Sequence, residues 1–266
     1  MDYEEIPASP PLRPWVRCLW HLRGEAEPAA RADRVVPDGC PEIVLQRGDP
    51  FREYQASQGP ERVQAPRTLL AGQLTEPLWL TPTGRVDCLG IRFEPHGLTA
   101  FLDTPLAEIT NARHDLRVLD ADFADRLRCA STAAPPLAAL QSELERRLRT
   151  RSSTPPSWIP EAVRRIDDHA GACRIGEWSV DLGVDPRRLQ RGFGRAVGLT
   201  PKRLQRVLRF QKVYRRLEEA TCAADLALEC GYYDQAHMIR DFQQFAGRSP
   251  GRDPIDEMFS RLFAGI

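Results

Sequence analysis

Residues 231–250 read GYYDQAHMIRDFQQFAGRSP, and this stretch decides the fold. Gly231 can take φ > 0 in a tight turn. Asp234 is a good N-cap. Met238, Phe242 and Phe245 recur at helical spacing and are predicted to face a core, while Gln235, His237, Arg240 and Asp241 fall on other faces. Gly247 and Pro250 stop the helix. A short helix pinned by its apolar side, with polar side chains outward, is the second half of a helix-turn-helix. Taken alone, the pattern also fits an ordinary amphipathic surface helix.

The stretch has a partner upstream. Residues 178–201 read WSVDLGVDPRRLQRGFGRAVGLTP, and residues 226–250 read LALECGYYDQAHMIRDFQQFAGRSP. Each is a helix, a Gly turn, a polar N-cap, a second helix with an Arg two residues before a Phe, then Gly-x-[Ser/Thr]-Pro. Asp185 and Pro186 open the second helix of the first unit. Arg191 precedes Phe193 as Arg240 precedes Phe242. Between the units, Thr200-Pro201 opens a helix predicted to run to 219, with Leu204, Val207, Leu208 and Leu217 as its buried stripe. About 19 residues at 1.5 Å each span roughly 28 Å. Major-groove faces repeat every 34 Å or so, so two such units can address one side of a duplex. Further helices are predicted over 160–169, 175–182 and 223–230.

Charge supports that reading. The 266 residues carry 37 Lys or Arg and 37 Asp or Glu, a net charge of zero that argues against a polyanion partner. Yet residues 187–216 hold eleven Lys or Arg and no Asp or Glu, which is an electrostatic footprint for nucleic acid. Apolar content of 42% is enough for packed cores. No apolar run approaches the roughly 18 residues of a membrane span. The acidic, Pro-rich start MDYEEIPASPPLRPW lacks a signal-peptide pattern, so the expected location is cytoplasmic. Seven scattered cysteines include no Cys-x-x-Cys pair, which argues against a zinc finger or disulfide framework. Cys40, beside Gly39 in a turn, is a candidate thiol sensor; the alternative is a small buried hydrophobe.

The first half reads differently. Residues 1–14 are predicted to be an irregular leader. Short β-like runs follow at 15–22, 34–36, 42–45, 68–70, 78–80 and 85–93, separated by turns such as Pro37-Asp38-Gly39 and Thr81-Pro82-Thr83-Gly84. That spacing suggests a small β-sandwich or barrel, with polar 51–66 as a long loop. Helical turns are predicted at 96–102, 121–129 and 137–148. The last carries a Leu137, Leu140, Leu144, Leu148 stripe and a Glu143–Arg147 pair. The stripe either packs on its own barrel or forms a dimer seam. Residues 150–157, TRSSTPPS, mark the domain boundary. The architecture expected is a β-rich domain over 1–150 with trailing helices, then an all-α tandem helix-turn-helix over 157–254 with a long linker helix.

Residues 157–253 resemble the DNA-binding domain of the AraC/XylS family of bacterial transcription regulators. Ala227, Gly231, Tyr232, Asp234, Gln235, His237, Arg240, Phe242, Gly247, Ser249 and Pro250 carry that likeness. Trp178, Ser179 and Met238 depart from the family pattern. Gly192 and Gly194 lie inside a helix at about 1 kcal/mol each relative to Ala, which predicts a unit that orders fully on DNA. The runs VVPDGCPEIVL, LLAGQLTEPLWL and LGIRFEPHGL are similar to a poorly characterised group of N-terminal regulatory domains of the family, for which a cupin-like barrel is expected.

The resemblance implies sites. Arg187, Gln190 and Arg191 share one helix face and match the family's base-contacting positions; Arg and Gln suit guanine and adenine edges. Arg188 and Arg195 are placed for phosphates. In the second unit the matching positions are Ala236, His237 and Arg240, with Gln235 nearby, although Arg240 could instead buttress the fold through an acidic partner. Ala236 and His237 offer little hydrogen bonding, so the first unit is expected to read most of the sequence. Lys202, Arg203 and Arg206 on the linker helix are phosphate candidates. In the N-terminal domain the ligand candidates are Trp20, Asp38, Glu42, Arg92 and His96. Metal ligation by His96 and Glu42 is disfavoured because no His-x-His cluster accompanies them, so no metal or cofactor is expected. Asp38 could equally cap a tight turn.

The expected function is a sequence-specific, ligand-controlled transcription regulator without enzymatic activity. Double-stranded DNA and a small-molecule effector are the expected partners, with RNA polymerase and a second copy of the chain as further candidates. Two alternatives stand beside it. One is an enzyme, either a cupin-type metalloprotein, which the lack of a His-x-His pattern disfavours, or a DNA-repair fusion, which the lack of closely spaced cysteines disfavours. The other is a constitutive binder with a purely structural N-terminal domain.

Overall fold

The computed structural model of the protein describes residues 1–25, 32–63, 67–151, 155–168, 181–217 and 222–250. The N-terminal domain is two antiparallel sheets face to face. Its strands are β1 (Asp2–Pro7), β2 (Val16–Glu25), β3 (Asp33–Val35), β4 (Glu42–Gln46), β5 (Phe51–Tyr54), β6 (Arg62–Val63), β7 (Thr68–Ala71), β8 (Leu78–Pro82), β9 (Arg85–Phe93) and β10 (Arg113–Asp115). The larger sheet has the order β1-β2-β9-β4-β7-β10 and the smaller β3-β8-β5-β6.

Both faces of the large sheet are buried, so its strands read as near-continuous apolar runs. Period-2 alternation still sorts the side chains. Cys18, Trp20, Leu22, Val86 and Cys88 face the small sheet and Phe51. Leu19, Ile43, Leu45, Leu70, Leu89 and Ile91 face the other way, onto helices. Those helices are α1 (Leu116–Leu119), α2 (Ala121–Ser131) and α3 (Pro136–Thr150). Leu137, Leu140 and Leu144 are buried in that core and Leu148 packs against it, so the leucine stripe belongs to its own domain. The pair expected between Glu143 and Arg147 does not form. Glu143 takes Arg146 at 2.6 Å. Arg147 turns inward to Asp120 and the Phe101 carbonyl, its guanidinium 4.7 Å from the Phe123 ring.

Two segments expected to be irregular are strands. Residues 2–7 form β1, which borrows its place from backbone pairing with β2 across Asp2↔Arg23 to Pro7↔Cys18. An edge strand needs no apolar face, and DYEEIP shows none. In 51–66, β5 pairs β6 and β8. Its inward positions are Phe51 and Glu53, the latter only 4% exposed and paired with Arg113 at 2.8 Å.

The C-terminal domain contains α4 (Trp158–Asp168), α5 (Pro186–Val197), α6 (Pro201–Arg216), α7 (Ala223–Glu229) and α8 (Gln235–Ala246). The helix predicted over 175–182 lies almost wholly outside the described residues, as does the end of the linker helix beyond 217. The caps act as read from sequence. Asp185 accepts the amides of Arg187 and Arg188, Thr200 that of Arg203, and Asp234 that of His237. Gly198 and Gly247 close α5 and α8 in the left-handed conformation, φ 83° and 71°. One core joins the units: Leu189, Phe193, Val207, Phe210, Tyr214, Met238, Phe242 and Phe245 are all buried in it.

Helix α5 runs unbroken through Gly192 and Gly194. A Cβ on Gly192 would lie 2.4 Å from Cη2 of Trp158, so this glycine admits the indole of α4. Gly194 faces open space. Gly194→Ala should therefore stabilise the domain by up to about 1 kcal/mol. Gly192→Ala should gain less than that or lose stability, because Trp158 must move. Urea unfolding of the two variants side by side checks the sign.

Candidate nucleic-acid interface and regulatory cavity

Helix α5 is held by its apolar side: Leu189, Phe193, Ala196 and Val197 are buried. That fixes the opposite face. Arg187, Arg188, Gln190, Arg191 and Arg195 are all exposed. Among the described residues no carboxylate pairs with any of these four guanidinium groups, which leaves their charge to the solvent side. The structure brings the five together on one helix, as their spacing requires.

On α8, Gln235, Ala236 and Arg240 are exposed, and His237 is half-buried. His237 stacks edge-on against Tyr232 and sits 3.2 Å from an Arg209 nitrogen. Burial and that guanidinium push its pKa below the usual value, so it is a neutral acceptor for Arg209. The buttressing role considered for Arg240 falls to two other arginines. Asp241, one position on and 1% exposed, takes Arg206 at 2.7 Å and Arg209 at 3.1 Å. Arg206 also donates to Gln244 at 2.6 Å.

The three linker cations part company. Lys202 is exposed. Arg206 is committed to Asp241. Arg203 lies over the Phe245 ring at 5.3 Å and donates to the Thr75 carbonyl of the N-terminal domain at 3.1 Å. Sequence reading did not single out Tyr233, 86% exposed in the turn before α8. Its signal was available: the aromatic beside buried Tyr232 must point away from the core.

The N-terminal domain touches this unit at several points, and they share a pattern. Thr110 donates its hydroxyl to the Gly198 carbonyl at 2.7 Å, at the C-terminal end of α5. Arg34, 1% exposed and stacked 5.4 Å from Trp79, donates to the Ala246 carbonyl at the C-terminal end of α8. Gln211 of α6 donates to the Pro37 carbonyl at 2.6 Å. Val36 is part of the C-terminal domain's core. Gly39, at φ 83°, lets its turn lie so close to α6 that a Cβ would meet Leu204 at 3.2 Å and Leu208 at 3.3 Å. No sequence period marks these residues, because each is a single contact across the boundary.

Between the two sheets lies a cavity of about 90 Å³. Four of the five expected ligand residues line it: Trp20, Asp38, Glu42 and Arg92. Register puts them there. Cys18, Arg92, Glu42, Ala71 and Arg113 stand opposite one another across five strands, on one rung of the large sheet. Arg92 pairs with Glu42 at 2.7 Å and with Asp38 at 3.7 Å. Burial raises the Glu42 carboxyl above its ordinary range, against the pull of Arg92. Burial also opposes the Arg92 charge, but Glu42 and Asp38 more than compensate. Asp38 does cap its turn, accepting the Cys40 amide at 2.9 Å. Arg113, which sequence reading missed, closes the rung beside its Glu53 partner.

His96 stands elsewhere. It lines a second cavity, between Arg13, Arg17 and Glu94 of the N-terminal domain and Pro160, Val163 and Leu208 of the C-terminal domain. Burial lowers its pKa to about 4. Glu42 and His96 therefore do not converge as metal ligands. Cys40 is buried, and burial raises its thiol pKa well above the ordinary value, so it is a packed hydrophobe and no reactive sensor.

Two family models match the chain: a domain of unknown function over residues 4–115, and a helix-turn-helix domain over residues 178–253. A curated relative, the "Probable thc operon regulatory protein" of Rhodococcus erythropolis, is 27% identical over 122 residues. That match takes in 44% of this chain and only 37% of the relative. Among solved structures, apo ToxT from Vibrio cholerae covers 87% of this chain and 95% of its own, at 9% identity and a TM-score of 0.47. A "probable AraC family transcriptional regulator" from Rhodopseudomonas palustris covers 34% of this chain and 91% of its own, at 23% identity and a TM-score of 0.30.

Asp241 carries a prediction. Asp241→Ala strands two guanidinium groups, one of them buried, and should cost about 3 kcal/mol in urea unfolding of the full chain. Arg240→Ala, on the adjacent exposed position, should leave stability unchanged within about 0.5 kcal/mol.

Proposed function

We infer, for a chain that belongs to the AraC/XylS family of DNA-binding transcription regulators, that α5 reads most of a specific operator and that the N-terminal domain sets how well it does so. One observation carries this reading: an acid-free, solvent-facing row of Arg187, Gln190 and Arg191 on a helix pinned from behind. Arg and Gln at those positions can pair with guanine and adenine edges. Arg188, Arg195 and Lys202 supply phosphate contacts, and Tyr233 adds a hydroxyl at the entry to α8. Helix α8, with Gln235, Ala236 and Arg240 outward, contributes more grip than reading. Arg203 and Arg206 are already engaged within the protein, so they serve docking and domain rigidity.

The cavity holds a small organic effector, and the protein works in the cytoplasm without catalysing a reaction. The coupling path is short. Asp38 and Cys40 line the cavity. The carbonyl of Pro37, one residue away, is held by the linker helix. A ligand that shifts the Asp38 turn must shift its seat on α6, and with it the relation of the two helix-turn-helix units. His96, remote from this cavity, is not an effector contact on this reading.

Two measurements test the proposal. Sites selected by the full chain from random DNA should define a preferred sequence. On that sequence Arg191→Ala should weaken binding by about 1–3 kcal/mol and relax preference at one base step. Equal losses on selected and random DNA would show that Arg191 contacts only backbone. Separately, Arg34→Ala and Thr110→Val release the described contacts to Ala246 and Gly198 while leaving every exposed cation in place. Operator affinity should change without any change in the slope against salt concentration, since the number of phosphates neutralised stays the same.

A further inference from the structure

The cavity between the sheets has a definite electrical character, and it bears on what can enter. Most of its wall is apolar, from Leu22, Val44, Phe51, Leu78 and Leu80. The polar groups are confined to one rung of the large sheet and the adjoining turn. On that rung Arg92 and Glu42 stand side by side, followed by Ala71 and then Arg113. Adjacent strands are about 4.8 Å apart, so Ala71 leaves a gap of two strand spacings between the Glu42 carboxylate and the Arg113 guanidinium.

The charges on the two sides of the gap do not balance in the same way. Arg113 is answered by Glu53 at 2.8 Å, and its two terminal nitrogens both donate to Gln55 Oε1 at 3.0 Å. Arg62 reaches Glu53 from the outside at 2.6 Å. Its side chain is 45% exposed, so solvent screens it. On the other side Arg92 faces two carboxylates, while Arg17, which also acts on the Asp38 turn, is balanced by Glu94 at 3.1 Å. The nearest partner of Arg92 is Glu42, and Asp38 is a looser contact at 3.7 Å. That side therefore carries an excess of one negative charge. All three side chains are largely sheltered, with 4% exposure for Arg92, 14% for Glu42 and 16% for Asp38. In such surroundings a further anion is repelled and a donor or cation is attracted far more strongly than in water.

We propose that the effector of this cavity is a small, mainly apolar molecule with a hydrogen-bond-donating head, an amine in preference to an alcohol, and that carboxylates are excluded. The head sits over Ala71, donating to Glu42 and to Asp38, and the apolar body lies against Val44, Phe51 and Leu80. Asp38, whose contact with Arg92 is the longer of the two, is the group whose carboxylate such a head engages. Its turn is also the one that the linker helix grips, so the charge of the ligand and the movement it causes are linked. This proposal rests on the reading of the cavity as the effector site.

The test uses three probes with the same body and different heads: butylamine, butan-1-ol and butyrate. Calorimetric titration of the full chain should give butylamine the tightest binding and butyrate the weakest, by about tenfold or more between the two. Glu42→Gln should collapse that preference while keeping a folded chain, verified by its melting transition. Val44→Phe, which fills the cavity with an apolar group, should abolish binding of all three. Butyrate binding as tightly as butylamine, with Val44→Phe still blocking both, would overturn the charge preference and leave the cavity as the effector site. Binding indifferent to Val44→Phe, or no binding of any probe, would overturn both the charge preference and the cavity reading.

Discussion

The turn Pro37-Asp38-Gly39 is the constraint on which the two halves of the molecule depend. Its three residues face in two directions. Asp38 points to the cavity, caps Cys40 and attends Arg92. Pro37 and Gly39 present backbone to the other domain, where Gln211 takes one carbonyl and Leu204 and Leu208 press on the glycine. Only glycine serves at that position. It combines φ 83° with a contact that leaves a Cβ at 3.2–3.3 Å from two leucines. The carbonyl of the same glycine is held by Gln73 at 2.7 Å, so the turn is fixed from both domains. Any change in the cavity that moves Asp38 acts on a segment with no slack.

Buried charge is the second organising theme, and it obeys one rule in both domains. A guanidinium inside a protein survives only beside a carboxylate or a set of carbonyls. Asp241 plays that part for Arg206 and Arg209, tying the linker helix to α8. Glu42 and Asp38 play it for Arg92, and Glu53 for Arg113. Among the described residues the arginines of α5 have no such answer, and they are exposed, where water, or a phosphate, can reach them. The proposed interface rests on that contrast between answered and unanswered cations more than on the count of cations. By that criterion Arg206 looked available in sequence and is not.

This contrast also explains what was legible in the chain. The helix-turn-helix units could be read because their signals are local: Asp185, Thr200 and Asp234 as caps, Gly198 and Gly247 as stops, and apolar residues at helical spacing between. The strands of the large sheet were legible where both faces are apolar. The strands β1, β5, β6 and β10 were not, because their inward or edge positions carry Glu53, Arg113 or backbone pairing in place of hydrophobes. Pairing is a relation between distant residues, and a single strand does not display it. The same limit applies to the cavity. Trp20, Asp38, Glu42 and Arg92 looked like site residues by type, but only register places β4 and β9 so that Arg92 and Glu42 share a rung. His96 looked equally apt and belongs to a different cavity.

The contacts between the domains fall at helix ends and on the linker helix. Thr110 and Arg34 hold the C-terminal ends of α5 and α8, at Gly198 and Ala246, and Gln211 anchors the helix between them. All three points lie away from the side chains that face solvent on α5. The described residues of the N-terminal domain leave Arg187, Gln190 and Arg191 exposed. Control by occlusion would need them covered. Control by geometry needs only that it fix, or release, the relation between two helices joined by a 16-residue linker helix. That helix is about 24 Å long, and at its length a small rotation at one end displaces the far unit by several ångströms. A protein built this way loses operator fit before it loses contact with DNA, because non-specific phosphate binding tolerates misplacement and base reading does not. Regulation would then appear as a change in specificity at nearly constant affinity for random sequence.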